Sequence, residues 1–285
     1  MFALLAAARF AHFAGLSLLF GLAAFPFYAG EAPAGLGRVL KASAALALAS
    51  GVAVMASSAA NMGGAFGAIL DPSVYAAMIG DTVYGQVWLG RLALAAVALA
   101  VSLRSPGKDR VLLVLSALLI ASVGLTGHSA MPGGALGAVH EVADALHLLA
   151  AGWWIGGLLA LILFAGRLGE RAAAVLGRFS RIGYGAVAIL ILSGALKSAI
   201  LLGAPGALVS TAYGRTLLAK LALFAGMGAL ALSNRLQIAP ALARAPGAAP
   251  WLGRLKVQAA AEFALGLAIL ALVGALGAMA PPISD

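Results

Sequence analysis

No cysteine occurs anywhere in the chain. That excludes disulfides and thiolate metal ligands, so any metal site has to be built from histidine, methionine, carboxylate or backbone oxygen. Charge is scarce as well: only 9% of the residues are Asp, Glu, Lys or Arg, against 63% hydrophobic ones, and the mean hydropathy is +1.06. A soluble globular domain of 285 residues does not have this composition. Aromatics make up 7% and histidines number four, so the few polar side chains stand out. No nucleophile–base constellation and no metalloprotease motif is present, which argues against a hydrolytic enzyme.

What is present is a succession of apolar runs that approach or exceed the roughly 20 residues needed to cross a bilayer. Eight spans fit, near residues 2–28, 38–60, 83–103, 109–127, 139–164, 180–202, 213–233 and 257–279. Residues 1–8 lack a basic leader, and Arg9 and His12 interrupt the first apolar run, so that run reads as a retained span rather than a cleaved signal.

The net charge of +9 would suggest nucleic acid in a soluble chain, but here it resides in alternate connections, and no nucleic-acid partner is expected. Arg38 and Lys41 lie at the first connection, and Arg104, Lys108 and Arg110 at the third. Arg167, Arg171, Arg178 and Arg181 surround the fifth, and Arg235, Arg244, Arg254 and Lys256 the seventh. The second and fourth, around residues 61–82 and 128–138, have neither Lys nor Arg. The positive-inside rule then puts the odd connections in the cytoplasm and both termini in the periplasm of a bacterial inner membrane.

The halves resemble each other. DTVYGQVWLGRLAL (81–94) aligns with STAYGRTLLAKLAL (210–223), His12 and Gly21 with His147 and Gly156, and Ser50-Gly51 with Ser193-Gly194. An even number of spans per half keeps both halves in one orientation, with the pseudo-twofold axis along the membrane normal. The expected fold is all-α: eight transmembrane helices in two parallel four-helix repeats, residues 1–130 and 131–285. Arg9 then falls opposite Asp144, and a buried ion pair between them is expected to clamp the halves.

Chemistry concentrates between Gly127 and Leu161, which holds His128, His140 and His147. On a helix from residue 140 onward, His140, Asp144 and His147 share one face, and Trp154 extends that stripe. Met131 lies just upstream. Imidazole, thioether and carboxylate are the metal-ligating groups left to a chain without cysteine, so His128, Met131, His140, His147 and His12 are the candidate metal ligands. A charge within a span costs about 2.5–3.5 kcal/mol and is a functional hypothesis by default. Arg9, Asp144 and Glu262 qualify. Arg91 and Lys220, a turn or two below the outer surface, read as snorkelling cations beside the interfacial Tyr84 and Tyr213. Glu262 reads as a proton or ion relay, or as a partner for basic residues of the seventh connection.

GH (127–128), DALHLLAAGWWIGGLLAL (144–161), FSRIGYGAVAILILSG (179–194), YGRTLLAKL (213–221), NR (234–235), Glu262 and the closing PP (281–282) together resemble the CopD family of bacterial copper-resistance membrane proteins. The resemblance covers nearly the whole chain. It implies an eight-span inner-membrane protein that brings copper from the periplasm to the cytoplasm, with a CopC-like periplasmic copper-binding protein as a separate partner. Two other functions compete with copper import. One is a b-type cytochrome with haem held between His12 and His147 or a neighbouring histidine, the arrangement bis-imidazole ligation needs. The other is a non-transporting scaffold for a periplasmic copper chaperone.

Overall fold

The computed structural model describes residues 1–104, 107–126 and 134–282, with 134–136 as backbone only. Every regular element among them is helical. The long helices are α1 (Phe2–Ala29), α2 (Leu36–Met62), α4 (Val83–Arg104), α6 (Gly134–Leu168), α7 (Ala172–Leu202), α9 (Ala212–Ser233) and α11 (Ala249–Leu276). α5 (Arg110–Ala121) is shorter and continues as a 3₁₀ turn to Thr126. The remaining helices are small: α3 (Pro72–Asp81), α8 (Ala207–Ser210) and α10 (Ala239–Arg244). Each stretch expected to span is thus helical.

Among the described residues, six helical stretches are long and apolar enough to cross a bilayer. One of them, Gly137–Leu202, contains both α6 and α7, joined by a single 3₁₀ turn at Gly169–Arg171, and the Arg110–Thr126 stretch is too short to be counted with the six. The lipid-facing side is legible in what stays uncovered. Val52, Leu89, Val97, Val114, Leu118, Leu192 and Leu232 are exposed apolar side chains on the outer helices, a surface that only hydrocarbon satisfies.

α1 is the innermost element. Leu16, Leu19, Leu22 and Phe25 are all within 1% of complete burial, and α1 packs on α2, α5, α6 and α11. Lipid tails are as apolar as leucine, so helices in a membrane associate through close packing rather than through escape from water. The crossing of α1 and α6 shows this directly. A Cβ added at Gly156 would lie 2.6 Å from Gly21 Cα and 2.7 Å from Ser17 O, and one at Gly21 only 2.5 Å from Gly156 Cα. Only glycine permits two backbones to meet there.

Matching positions make matching contacts. Thr82 Oγ1 accepts from Gly85 N at 3.0 Å and Thr211 Oγ1 accepts from Gly214 N at 2.9 Å, each capping the start of a long helix. Gly85 lies against the carbonyl of Met78 and Gly214 against that of Ala207, with no room for a side chain at either position. At the basic end, arginines tie α6 and α7 to the α1–α2 connection. Arg167 donates to the Ala34 carbonyl, Arg178 Nε to Tyr28 O at 2.6 Å, and Arg171 pairs with Glu31. The Arg171 guanidinium holds the exposed Glu31 carboxyl below its ordinary range.

Candidate functional site

A cavity of about 320 Å³ opens among α1, α6, α7, α9 and α11. Arg9, Asp144, His147, Lys197, Tyr213 and Lys220 line it, between apolar walls that include Phe13, Ile155 and Leu270. It gathers one expected ligand, His147, and four of the residues expected to support the site. His128 and Met131 fall outside the described residues. His140, one turn before Asp144 on α6, is fully buried, and neither of its ring nitrogens has a hydrogen-bond partner among the described residues.

The expected ion pair between Arg9 and Asp144 is replaced by another. Asp144 pairs with Lys197 of α7, and Arg9 reaches instead to the Gly277 carbonyl at the end of α11. Lys197 was not singled out in the sequence, although a lysine within an apolar run is a signal in itself. Ser193 and Lys197 are four apart on α7, and Asp144 and His147 three apart on α6. Each pair shares a helix face, and the two faces meet.

His147 is oriented by Ser193, as Nδ1 stands 2.7 Å from Ser193 Oγ. The single hydroxyl proton of Ser193 goes to the Ile189 carbonyl. Ser193 therefore accepts, His147 carries its proton on Nδ1, and the Nε2 lone pair is left, among the described residues, without a hydrogen-bond partner on a residue that lines the cavity. In this tautomer Nε2 is the nitrogen free to ligate a metal.

His12 shows the same local chemistry. Nδ1 is 3.1 Å from Ala47 O and 3.3 Å from Ser50 Oγ, and a carbonyl can only accept, so Nδ1 again holds the proton. Its ring lies 5.2 Å from that of Trp88, and its Nε2 is buried without a partner among the described residues. Yet His12 is packed into the α1–α2–α4 side and does not line the cavity that His147 faces. The two histidines are alike but not convergent, as bis-imidazole ligation would require. Among the described residues no group of three or more His, Asp or Glu side chains is gathered closely enough to hold a metal.

Arg91 does not snorkel. It is 2% exposed, donates from Nε to Ser122 Oγ at 3.0 Å and from Nη2 to Ser122 O at 2.6 Å and Thr126 Oγ1 at 3.0 Å, and lies 4.2 Å above the Trp88 ring. Tyr84 shares a hydrogen bond of 2.7 Å with Ser58. Tyr213, by contrast, is buried at the cavity wall.

Trp154 turns away from the histidine stripe. Its Nε1 donates to Glu262 Oε2 at 3.3 Å, and its ring meets Phe224 edge-on at 6.0 Å. Asn234 donates to the other oxygen of Glu262. The partners of Glu262 are thus neutral donors, not the basic residues of the seventh connection. All three residues line a second cavity, of about 290 Å³, next to a π-helical turn at Asn234–Ile238, an irregularity often found at functional positions. Trp154 and Ile155, adjacent on α6, face the two cavities separately.

Comparison with known proteins agrees with the sequence pattern. Residues 1–138 match the family model for the copper resistance protein D-like N-terminal domain, and residues 173–276 that for copper resistance protein D. The chain belongs to the copper resistance protein D family. It is 31% identical to the inner membrane protein YebZ of Escherichia coli (strain K12) over 96% of this chain and 97% of that protein. It is 32% identical to copper resistance protein D of Pseudomonas syringae pv. tomato over 96% of each. Over 67% of this chain and 37% of the relative it is 30% identical to the copper transport protein CutJ of Bacillus subtilis (strain 168). No solved structure matches it. This is a multi-pass inner-membrane protein of a copper resistance and transport family.

Proposed function

We propose that this copper resistance D family protein carries copper from the periplasm to the cytoplasm. The reading takes α6 and α7 as separate crossings and adds α5 with its 3₁₀ extension as a short one, giving eight. They form two parallel four-helix halves, residues 1–130 and 131–285, with both termini in the periplasm. The basic odd connections support this orientation, which leaves the start of α6 outside.

Copper is captured at His128, Met131 and His140 and passes to His147, with a CopC-like periplasmic protein as its donor. His12 stands apart from this route. The observation that carries the reading is the Nε2 lone pair of His147, fixed by the Ser193 contact on a residue that lines a cavity. The unpartnered ring of His140, one turn to the outer side of Asp144, supports it.

Equilibrium dialysis of the purified protein against copper, with a visible spectrum of the same sample, tests this. The wild type is expected to bind copper and His147→Gln to bind less. A Soret band in the protein as isolated would replace copper by haem as the ligand of these histidines.

A further inference from the structure

The cavity that His147 faces holds more positive than negative side chains among the described residues. Arg9, Lys197 and Lys220 line it, with Asp144 as the sole carboxylate among the described residues. Asp144 is taken by Lys197, and Arg9 is turned to the Gly277 carbonyl. The Lys220 ammonium is left, among the described residues, with no hydrogen bond and no ion pair.

Position 220 corresponds to position 91 in the aligned segments. Arg91 is committed to Ser122, Thr126 and the face of Trp88. The same place in the fold therefore holds a cation fixed by its own protein in one half and an uncommitted one beside open space in the other. An unpaired ammonium within a span is costly, and a cavity is where an anion can relieve it. A volume of about 320 Å³ has room for about ten waters, far more than a halide fills. Its walls of Phe13, Ile155 and Leu270 suit an apolar body.

We propose that this cavity binds a small organic carboxylate, with its charged end at Lys220 and Arg9 and its apolar part against Phe13 and Leu270. The site goes beyond the copper reading and bears on it. A copper ion on His147 Nε2 would face two more cations than anions, and a carboxylate both reduces that surplus and is itself a copper ligand. The substrate that reaches His147 is then copper accompanied by a carboxylate rather than a bare ion.

Benzoate is the probe, titrated into copper-free purified protein at constant ionic strength, with the thermal midpoint as readout. Benzoate is expected to raise the midpoint saturably, while benzyl alcohol and chloride at the same concentrations do not. Lys220→Met is expected to weaken the response about tenfold or more, and Lys220→Arg to keep most of it. Labelled benzoate in equilibrium dialysis with Lys220→Gln gives the same comparison should the methionine variant fail to fold. An equal response to benzyl alcohol or chloride, or an undiminished response without Lys220, overturns the proposal. Since no copper is present, failure here leaves the copper reading standing, and failure of copper binding leaves the carboxylate site standing.

Discussion

Asp144→Asn is the sharpest test of how α6 is held against α7. The Asp144 side chain is 8% exposed and that of its partner Lys197 28%. Opposite charges in contact attract by roughly 5 kcal/mol at an effective dielectric constant of 20. Desolvation offsets much of this, so the pair adds little net stability compared with an apolar replacement. Breaking it is another matter, since Lys197 would be left in a cavity that already holds Arg9 and Lys220. Removing one partner of a buried pair costs about 3–5 kcal/mol, and the partial exposure of Lys197 puts the expectation near the lower end. At about 2–4 °C per kcal/mol, the unfolding midpoint in detergent should fall by about 6–12 °C. Adding Lys197→Met should recover half or more of the loss, as the unpaired charge is gone. Combining Asp144→Asn with Arg9→Gln should recover much less than Lys197→Met does, because Arg9 shares the cavity but does not pair with Asp144. A midpoint within about 1 °C of wild type for Asp144→Asn, or stronger coupling to Arg9 than to Lys197, would refute the reasoning.

Gly156→Ala should lower stability by about 1–3 kcal/mol, the usual cost of forcing extra volume into a packed contact, because its Cβ would lie 2.6 Å from Gly21 Cα. Gly90→Ala on α4, where a Cβ meets nothing within 4 Å, should leave the midpoint unchanged or raise it slightly; comparison of the two melts checks the packing argument. Reporter fusions after Ala245 and at the C-terminus should read cytoplasmic and periplasmic respectively, and a cytoplasmic C-terminus would move the histidines of α6 to the wrong side for capture.

The sequence makes the membrane class and the helices plain because apolar runs bounded by charge and glycine depend on local composition alone. α5 illustrates the boundary of that signal: the stretch after Arg110 is mostly apolar up to residue 127, yet the α-helix covers only Arg110–Ala121 before tightening to a 3₁₀ turn. Side-chain partnership is where sequence reasoning failed. Alignment of the halves sets Arg9 opposite Asp144, but it does not say which neighbouring helix reaches furthest, and Lys197 on α7 reaches Asp144 first. The facing pairs Asp144/His147 and Ser193/Lys197 could have been found, since both obey helical spacing and both lie within apolar runs. Trp154 misled for a related reason. Fourteen residues from His140 is near four turns, but the helix drifts, and the indole ends on Glu262 in another cavity. The difference between Arg91 and Lys220 was invisible in the aligned segments, as it depends on Ser122 and Thr126 some thirty residues away.

Copper uptake by proteoliposomes is the most direct measurement of the central claim. Wild-type protein, reconstituted in a known orientation and given external copper, should accumulate it above protein-free vesicles. His147→Gln should reduce uptake to that background while retaining the wild-type unfolding midpoint, and His12→Gln should leave transport intact because His12 does not line the cavity. Uptake by His147→Gln at the wild-type rate would contradict the account.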